Sequence, residues 1–230
     1  VRNAQGLFIN SSPVGQRVYS WNNWLPVRKK GHKMRGTCFI ISGVPGIGKS
    51  RLADHIWRRM VQAGLVIVQL NTDRFHENPE TGKYEFDPGK AGEAHNWTFR
   101  GALAAFGWHR GGCEEVPADA VIVDNTNCTA AEMSPYILAA AASGYEVKII
   151  RVLGDYEAAY ARNSHGVPRE VFDYMVEEFD KKALAPWWDV AEYQTDTAAK
   201  QFDSAFVDPE LIKKDEKDEF WANEARAYEW

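Results

Sequence analysis

Long hydrophobic runs are missing from this 230-residue chain. No stretch of about eighteen apolar residues occurs, so a membrane-spanning helix is not expected. Cysteine is scarce: Cys38, Cys113 and Cys128 are the three present, and their spacing suits neither a disulfide framework nor a zinc-binding pair. Cys38 and Cys128 fall beside candidate strands, where a thiol packs rather than reacts. Arg28-Lys29-Lys30 precedes no hydrophobic segment with a cleavage site, so a secretory leader is not expected. These features suggest a reducing, intracellular setting, cytoplasmic or nuclear. Internal repeats and coiled-coil heptads are absent too, which turns attention to an ordinary globular domain.

What the chain does contain is enough apolar surface for a core, at 45% hydrophobic and 13% aromatic residues. The net charge of −5 is unevenly divided. Residues 170–230 carry 17 acidic against 7 basic side chains, a net of −10, which leaves +5 for residues 1–169. Arg28, Lys29, Lys30, His32, Lys33 and Arg35 form a basic cluster. Such a cluster either attracts a polyanion or is plain solvated surface. The organisation expected is a basic arm over 1–36 with one short strand near Arg17–Tyr19, a domain over 37–182, and an acidic tail over 183–230. Trp187, Trp188, Trp221 and Trp230 look like anchors packing that tail on the domain.

Within the domain, apolar runs without alternation predict buried strands at 37–42, 65–70, 120–124 and 145–152. Helices are expected at 49–63, 93–106, 130–143, 156–162 and 169–182, several closed by glycine. Residues 76–91, with two Pro and two Gly, read as a long loop. Strands alternating with helices predict an α/β domain with a parallel sheet of four to five strands flanked by helices.

Gly43-Val44-Pro45-Gly46-Ile47-Gly48-Lys49-Ser50 joins the first strand to the first helix. It matches G-x-x-x-x-G-K-[ST], in which glycines let backbone N–H groups wrap a phosphate. The helix start adds partial positive charge. Lys49 has the reach for the β- and γ-phosphates of ATP, and the Ser50 hydroxyl suits Mg²⁺. Four fixed positions arise by chance in a chain this long at roughly 1%, and the strand-to-helix setting lowers that further.

Ligands of open α/β sheets gather beyond the carboxyl ends of the strands. Two such ends carry acids: Asn71-Thr72-Asp73 after the second strand and Asp124-Asn125-Thr126-Asn127 at the end of the third. Asp73 has two readings, acceptor of a proton from an attacking hydroxyl or cap of a turn. Asp124 suits Mg²⁺-bound water or serves as an alternative base. His95 and Trp97, at the start of a helix, face substrate or pack. Arg151, Arg162, His165 and Arg169 crowd one short stretch, and an arginine there is placed to close over ATP or to sit in a solvated turn.

Taken together, residues 39–175 resemble the polynucleotide-kinase branch of the P-loop kinases, NEDD4-binding protein 2-like, AAA-type kinase domains. The specific part is the ordered pair Asp124-Asn-Thr-Asn127 and Arg162-Asn-Ser-His-Gly-Val-Pro168. The resemblance implies a P-loop NTPase fold with a helical lid near 154–168, Asp73 as general base, and Arg162 as a lid arginine on ATP phosphates. Catalysis would then rest on Asp73, Lys49 and Arg162, with nucleotide held by Gly43, Gly46, Gly48, Lys49, Ser50 and Arg162, and Mg²⁺ by Ser50 and Asp124. One departure stands out, because His76 occupies the place where several such kinases hold substrate phosphate with an arginine. No haloacid-dehalogenase-type phosphatase signature follows. The expected activity is phosphoryl transfer from ATP to a nucleic acid, at its 5′-hydroxyl. The alternatives are the hydroxymethyl group of a modified pyrimidine in DNA, a nucleoside or other small molecule, or a nucleotide-dependent nucleic-acid-binding module without transfer.

Overall fold

Five parallel strands form one sheet in the order β2-β3-β1-β4-β5. The computed structural model describes residues 34–78, 80–108, 117–181, 184–209 and 212. The strand expected near Arg17–Tyr19, the basic run Arg28–Lys33, Cys113, Trp221 and Trp230 lie outside these residues.

Strands β1 (Gly36–Ser42), β2 (Ile67–Leu70) and β3 (Ala120–Asp124) are buried along their whole length. That burial explains their unbroken apolar runs, since a parallel sheet is covered on both faces. Alternate residues feed two separate cores. Phe39 and Ile41 of β1 point to one, with Leu52, Ala53, Ile56 and Met60 of α1 (Lys49–Gln62). Phe172 and Phe179 of α5 (Arg169–Asp180) and Phe202 of α6 (Ala198–Phe206) complete that side. Cys38 and Ile40 point to the other, against Ala102 of α2 (Ala91–Ala105) and Met133, Tyr136 and Ala140 of α3 (Ala130–Ala142). The α/β P-loop NTPase fold expected from sequence is what the chain adopts.

The differences from expectation fall at the edges. A short 3₁₀ turn, Thr72–His76, follows β2, and a second, Pro88–Lys90, leads into α2 two residues early, inside what reads as loop. Asp87 caps that second turn by accepting from the Gly89 N–H. Beyond β4 (Tyr145–Leu153) and the short α4 (Tyr156–Ala161), the segment read as a tail supplies β5 (Val190–Gln194) and α6. Strand β5 pairs parallel with β4, Ile150 opposite Ala191 and Val152 opposite Tyr193. As an edge strand it has one buried residue, Tyr193, so no apolar run marks it. Trp187 does not anchor anything: it is 81% exposed, whereas Trp188 packs against the α2–α3 core.

Candidate active site

Strand β1 lies at the centre, flanked by β3 and β4, so the turn after it opens at the point where the chain winds to either side. A cavity of about 580 Å³ occupies this position. Its walls include Gly46, Gly48, Lys49, Ser50, Asp73, Asp124 and Arg162. Of the residues expected to hold nucleotide or metal or to act in transfer, Gly43 alone stays outside it, behind the loop: its N–H donates to the Thr126 carbonyl at 2.9 Å.

The loop's glycines are needed for two different reasons. Gly46 has φ +72, and a Cβ there would sit 2.1 Å from the Ala159 carbonyl oxygen of α4. Gly48 has φ +103 and faces Thr195 Oγ1, 2.9 Å from where its Cβ would be. Both lie in the left-handed region that side chains other than glycine resist. Thr195, after β5, donates its hydroxyl to the Ile47 carbonyl at 2.5 Å. Thr195 and Asp196 also line the cavity, and sequence reading missed both because it missed β5.

Lys49 is buried and its Nζ donates to the Val44 carbonyl at 2.9 Å, curling back over the loop. Burial lowers its pKa, against the pull of Asp124 and more weakly of Cys128 and Asp73. Burial pushes the Asp124 carboxyl up to about 7, opposed by Lys49 and by a hydrogen bond from Ser50. Asp124 Oδ2 accepts from Asn71 Nδ2 at 3.3 Å, while its buried Oδ1 has no hydrogen-bond partner. A buried carboxylate oxygen without a donor, beside the loop hydroxyl, fits a divalent cation. Among the described residues no three His, Cys, Asp or Glu side chains converge on a metal position. Mg²⁺ would therefore rest on Ser50, Asp124, phosphate oxygens and water, its usual company beside a nucleotide.

Asp73 belongs to the 3₁₀ turn after β2. Asn71 caps that turn, its side chain accepting from the Asp73 N–H at 2.7 Å. So Asp73 is not the cap, and its carboxylate remains available to the cavity. The asparagines after β3 are braces. Asn125 Oδ1 accepts from the Thr72 N–H and hydroxyl, at 2.9 and 2.8 Å. Asn127, at φ 46, donates to the Ile41 carbonyl at 2.8 Å. They tie the ends of β1, β2 and β3 together and so fix the distance between the two carboxylates.

Arg162, at the end of α4, donates from Nε to the Gly46 carbonyl at 3.2 Å and stands over the loop. The other two arginines of the basic stretch are engaged elsewhere. Arg169 pairs with Glu157 and Asp173, and Arg151 donates to the Phe179 carbonyl and Glu192. His165 lines the cavity opposite Asp73, as do His76, Tyr84, Phe86 and His95. Trp97 packs on Phe75 instead, ring centroids 6.1 Å apart. Tyr84 and Phe86 went unnoticed in sequence because a hairpin-like turn carries them in, bridging Glu77 to Tyr84. Cys38 and Cys128 are buried, and burial pushes both thiols up, Cys128 to about 12, so neither is poised to react. No described helix is long and apolar enough to cross a membrane.

Comparison with known proteins adds a family. A model described as AAA domain matches residues 39–181. Human NEDD4-binding protein 2 is 32% identical over 166 residues, 70% of this chain but 8% of that protein, so the chain spans a small fraction of its relative. Among solved structures, one of the PezAT chromosomal toxin–antitoxin system of Streptococcus pneumoniae is 17% identical with a TM-score of 0.51, covering 83% of this chain and 88% of that one. An APS kinase of Mycobacterium tuberculosis in complex with AMPPNP and APS is 14% identical with a TM-score of 0.48, over 75% and 98%. The family match and the PezAT structure support the P-loop fold, and the polynucleotide-kinase assignment, with its nucleic-acid acceptor, finds no specific support.

Proposed function

The chain belongs to the AAA domain family, and we propose that it is an ATP-dependent phosphotransferase acting on a small, ring-bearing alcohol of the nucleoside class. The observation carrying the first half is that Lys49, Ser50, Asp73, Asp124 and Arg162 share the walls of one cavity at the strand ends. Loop amides and Lys49 hold the β- and γ-phosphates, Lys49 exchanging its bond to Val44 for phosphate oxygens. Ser50 and Asp124 would hold Mg²⁺, which would neutralise charge on the phosphates. The acceptor oxygen forms a bond to the γ-phosphorus as the bond from that phosphorus to the β–γ bridging oxygen breaks and ADP departs. The hydroxyl proton passes to Asp73. Arg162, already above the loop, offsets charge on the transferring group.

The second half rests on the acceptor side of the cavity. Asn71, Thr72, Asp73, His76, Tyr84, Phe86, His95 and His165 form it, and the cavity's lysine and arginines, Lys49, Arg51 and Arg162, belong to the phosphate loop, the first turn of α1 and the lid. His76 is 6% exposed and packs on Phe86, centroids 4.9 Å apart. Rings where an arginine would grip a terminal phosphate favour a neutral flat group over a polynucleotide end. A second reading, the hydroxymethyl group of a pyrimidine turned out of a DNA strand, is favoured by Phe86, which is 54% exposed at the rim as a stacking surface.

Transfer of γ-labelled phosphate from ATP to free nucleosides, modified-base duplexes and 5′-hydroxyl oligonucleotides, with the product site mapped, tests both halves. Labelled nucleoside is the expected product. Label found at 5′ ends alone would overturn the acceptor assignment, and no labelled product of any kind would overturn phosphotransfer.

A further inference from the structure

We propose that His165 and Tyr84 are positioning residues which hold the two oxygens of Asp73, so that the lid closing over nucleotide also seats the base. The inference rests on the phosphotransferase reading for the role given to Asp73.

The backbone of Asp73 is pinned by Asn71, but nothing in that turn fixes the direction of its carboxylate. Two side chains reach it, Tyr84 from eleven residues along and His165 from the lid. Tyr84 Oη donates to Oδ1 at 3.4 Å, and His165 Nε2 lies 3.5 Å from Oδ2. The Tyr84 and His165 rings meet each other at 4.4 Å between centroids, tilted by 53°, which closes a triangle around the carboxylate. Each of the two is itself held. Tyr84 sits on the bridge to Glu77, and the Glu85 N–H donates to the His76 carbonyl at 2.8 Å. His165 sits in a turn folded by Asn163 Nδ2 donating to the Val167 carbonyl at 2.8 Å, with Gly166 at φ 66.

Arg162 is three residues before His165 and contacts the phosphate loop at Gly46. One short turn therefore bears both the arginine aimed at the nucleotide and the histidine aimed at the base. Glu157 and Asp173 both pair with Arg169, which ties the helices on either side of that turn together. Side chains of Asp73 and His165 are 42% and 39% exposed, and pairs so exposed add little to stability. What this contact supplies is direction. It also links ATP binding to acceptor activation, so the base is aimed only when the lid is down. Burial and the neighbouring Asp73 charge push the Tyr84 phenol up to about 12, so it remains a donor across the working range.

Two measurements on the full chain test this, one of them independent of any acceptor. With the non-hydrolysable analogue AMPPNP bound, hydrogen exchange across residues 162–168 should rise several-fold in Asp73→Ala. The same substitution made in a His165→Ala background should add nothing further. Unchanged lid exchange in Asp73→Ala, or additive effects, would overturn the clamp. In single-turnover transfer, His165→Ala should lose about 10–100-fold in rate, the scale of a misdirected reacting group. The thermal midpoint should stay at the parental value, and the KM for ATP should rise no more than the several-fold change in lid exchange. His165→Gln, which keeps an N–H near the position of Nε2, should recover most of the loss, and Tyr84→Phe should behave like a milder His165→Ala. Equal losses in His165→Ala and His165→Gln, or no loss in either, would overturn the positioning role. A parent enzyme that labels no acceptor would instead overturn the phosphotransferase reading, while the exchange experiment decides the clamp by itself.

Discussion

Lys49 and Asp124 are both buried and sit within each other's field, which strengthens whatever each does to a bound phosphate or cation. Lys49→Ala should therefore reduce transfer at saturating ATP by at least about 100-fold, the scale of removing one preorganised charge. Activity within threefold of the parent would detach the loop from the chemistry. Asp124 and Lys49 were readable because a fixed spacing marks the loop and an apolar strand ending in Asp marks the other. Tyr84 and Thr195 were not, since each reaches the cavity through an element with no periodic signal. His165 was legible as a member of a basic stretch but not as the partner of Asp73, because that contact spans 92 residues of chain from a turn to a lid.

Gly46 is the position where the phosphate loop and α4 meet, and there the fit between elements is tightest. Gly46→Ala places a Cβ 2.1 Å from the Ala159 carbonyl at a backbone angle alanine resists, so α4 must lift away from the loop. ATP affinity should fall at least about tenfold, as the lid arginine moves off with it. Calorimetric titration showing parental affinity would mean that α4 does not bear on the nucleotide. On the opposite flank, α6 is latched to α1. Arg59 donates twice to Asp203, at 3.0 and 2.7 Å, and His55 Nε2 lies 2.7 Å from its Oδ1. Burial works against the charge on Asp203, but the bonds from His55 and Arg59 outweigh it and hold the carboxyl below its usual range. A depressed carboxyl pKa adds stability in full above the unfolded value near 3.9, and that increment disappears as pH falls through the folded value. Asp203→Asn should cost roughly 2–4 kcal/mol at pH 7, with the gap to the parent narrowing in acid below about pH 4. Urea melts at both pH values check this, and a gap that stays constant would contradict the latch. Helix α6 went unread for a reason this contact makes plain: its hold on the domain depends as much on one charged residue as on Phe202 and Phe206.

Across the whole molecule, the sheet was legible where strands are buried on both faces and illegible at the β5 edge, where Tyr193 is the one buried residue. The charge division is a whole-molecule property as well. If the acceptor is a small neutral molecule, the KM for it should barely change between about 50 and 200 mM salt, whereas a polynucleotide would weaken by orders of magnitude through counterion release. A steep salt dependence would move the acceptor to a polyanion and give the basic arm a part in holding it. The central claim, that Asp73 takes the acceptor's proton beside a nucleotide held by the phosphate loop, is tested most directly by Asp73→Asn. ATP affinity and single-turnover transfer should be measured on the same folded protein. Asn71 remains to cap the turn, so affinity should stay within a few fold of the parent while the transfer rate falls by roughly 10²–10⁴. A folded Asp73→Asn enzyme that transfers phosphate at the parental rate would contradict the assignment and shift the base to another carboxylate of the cavity, Asp124 first.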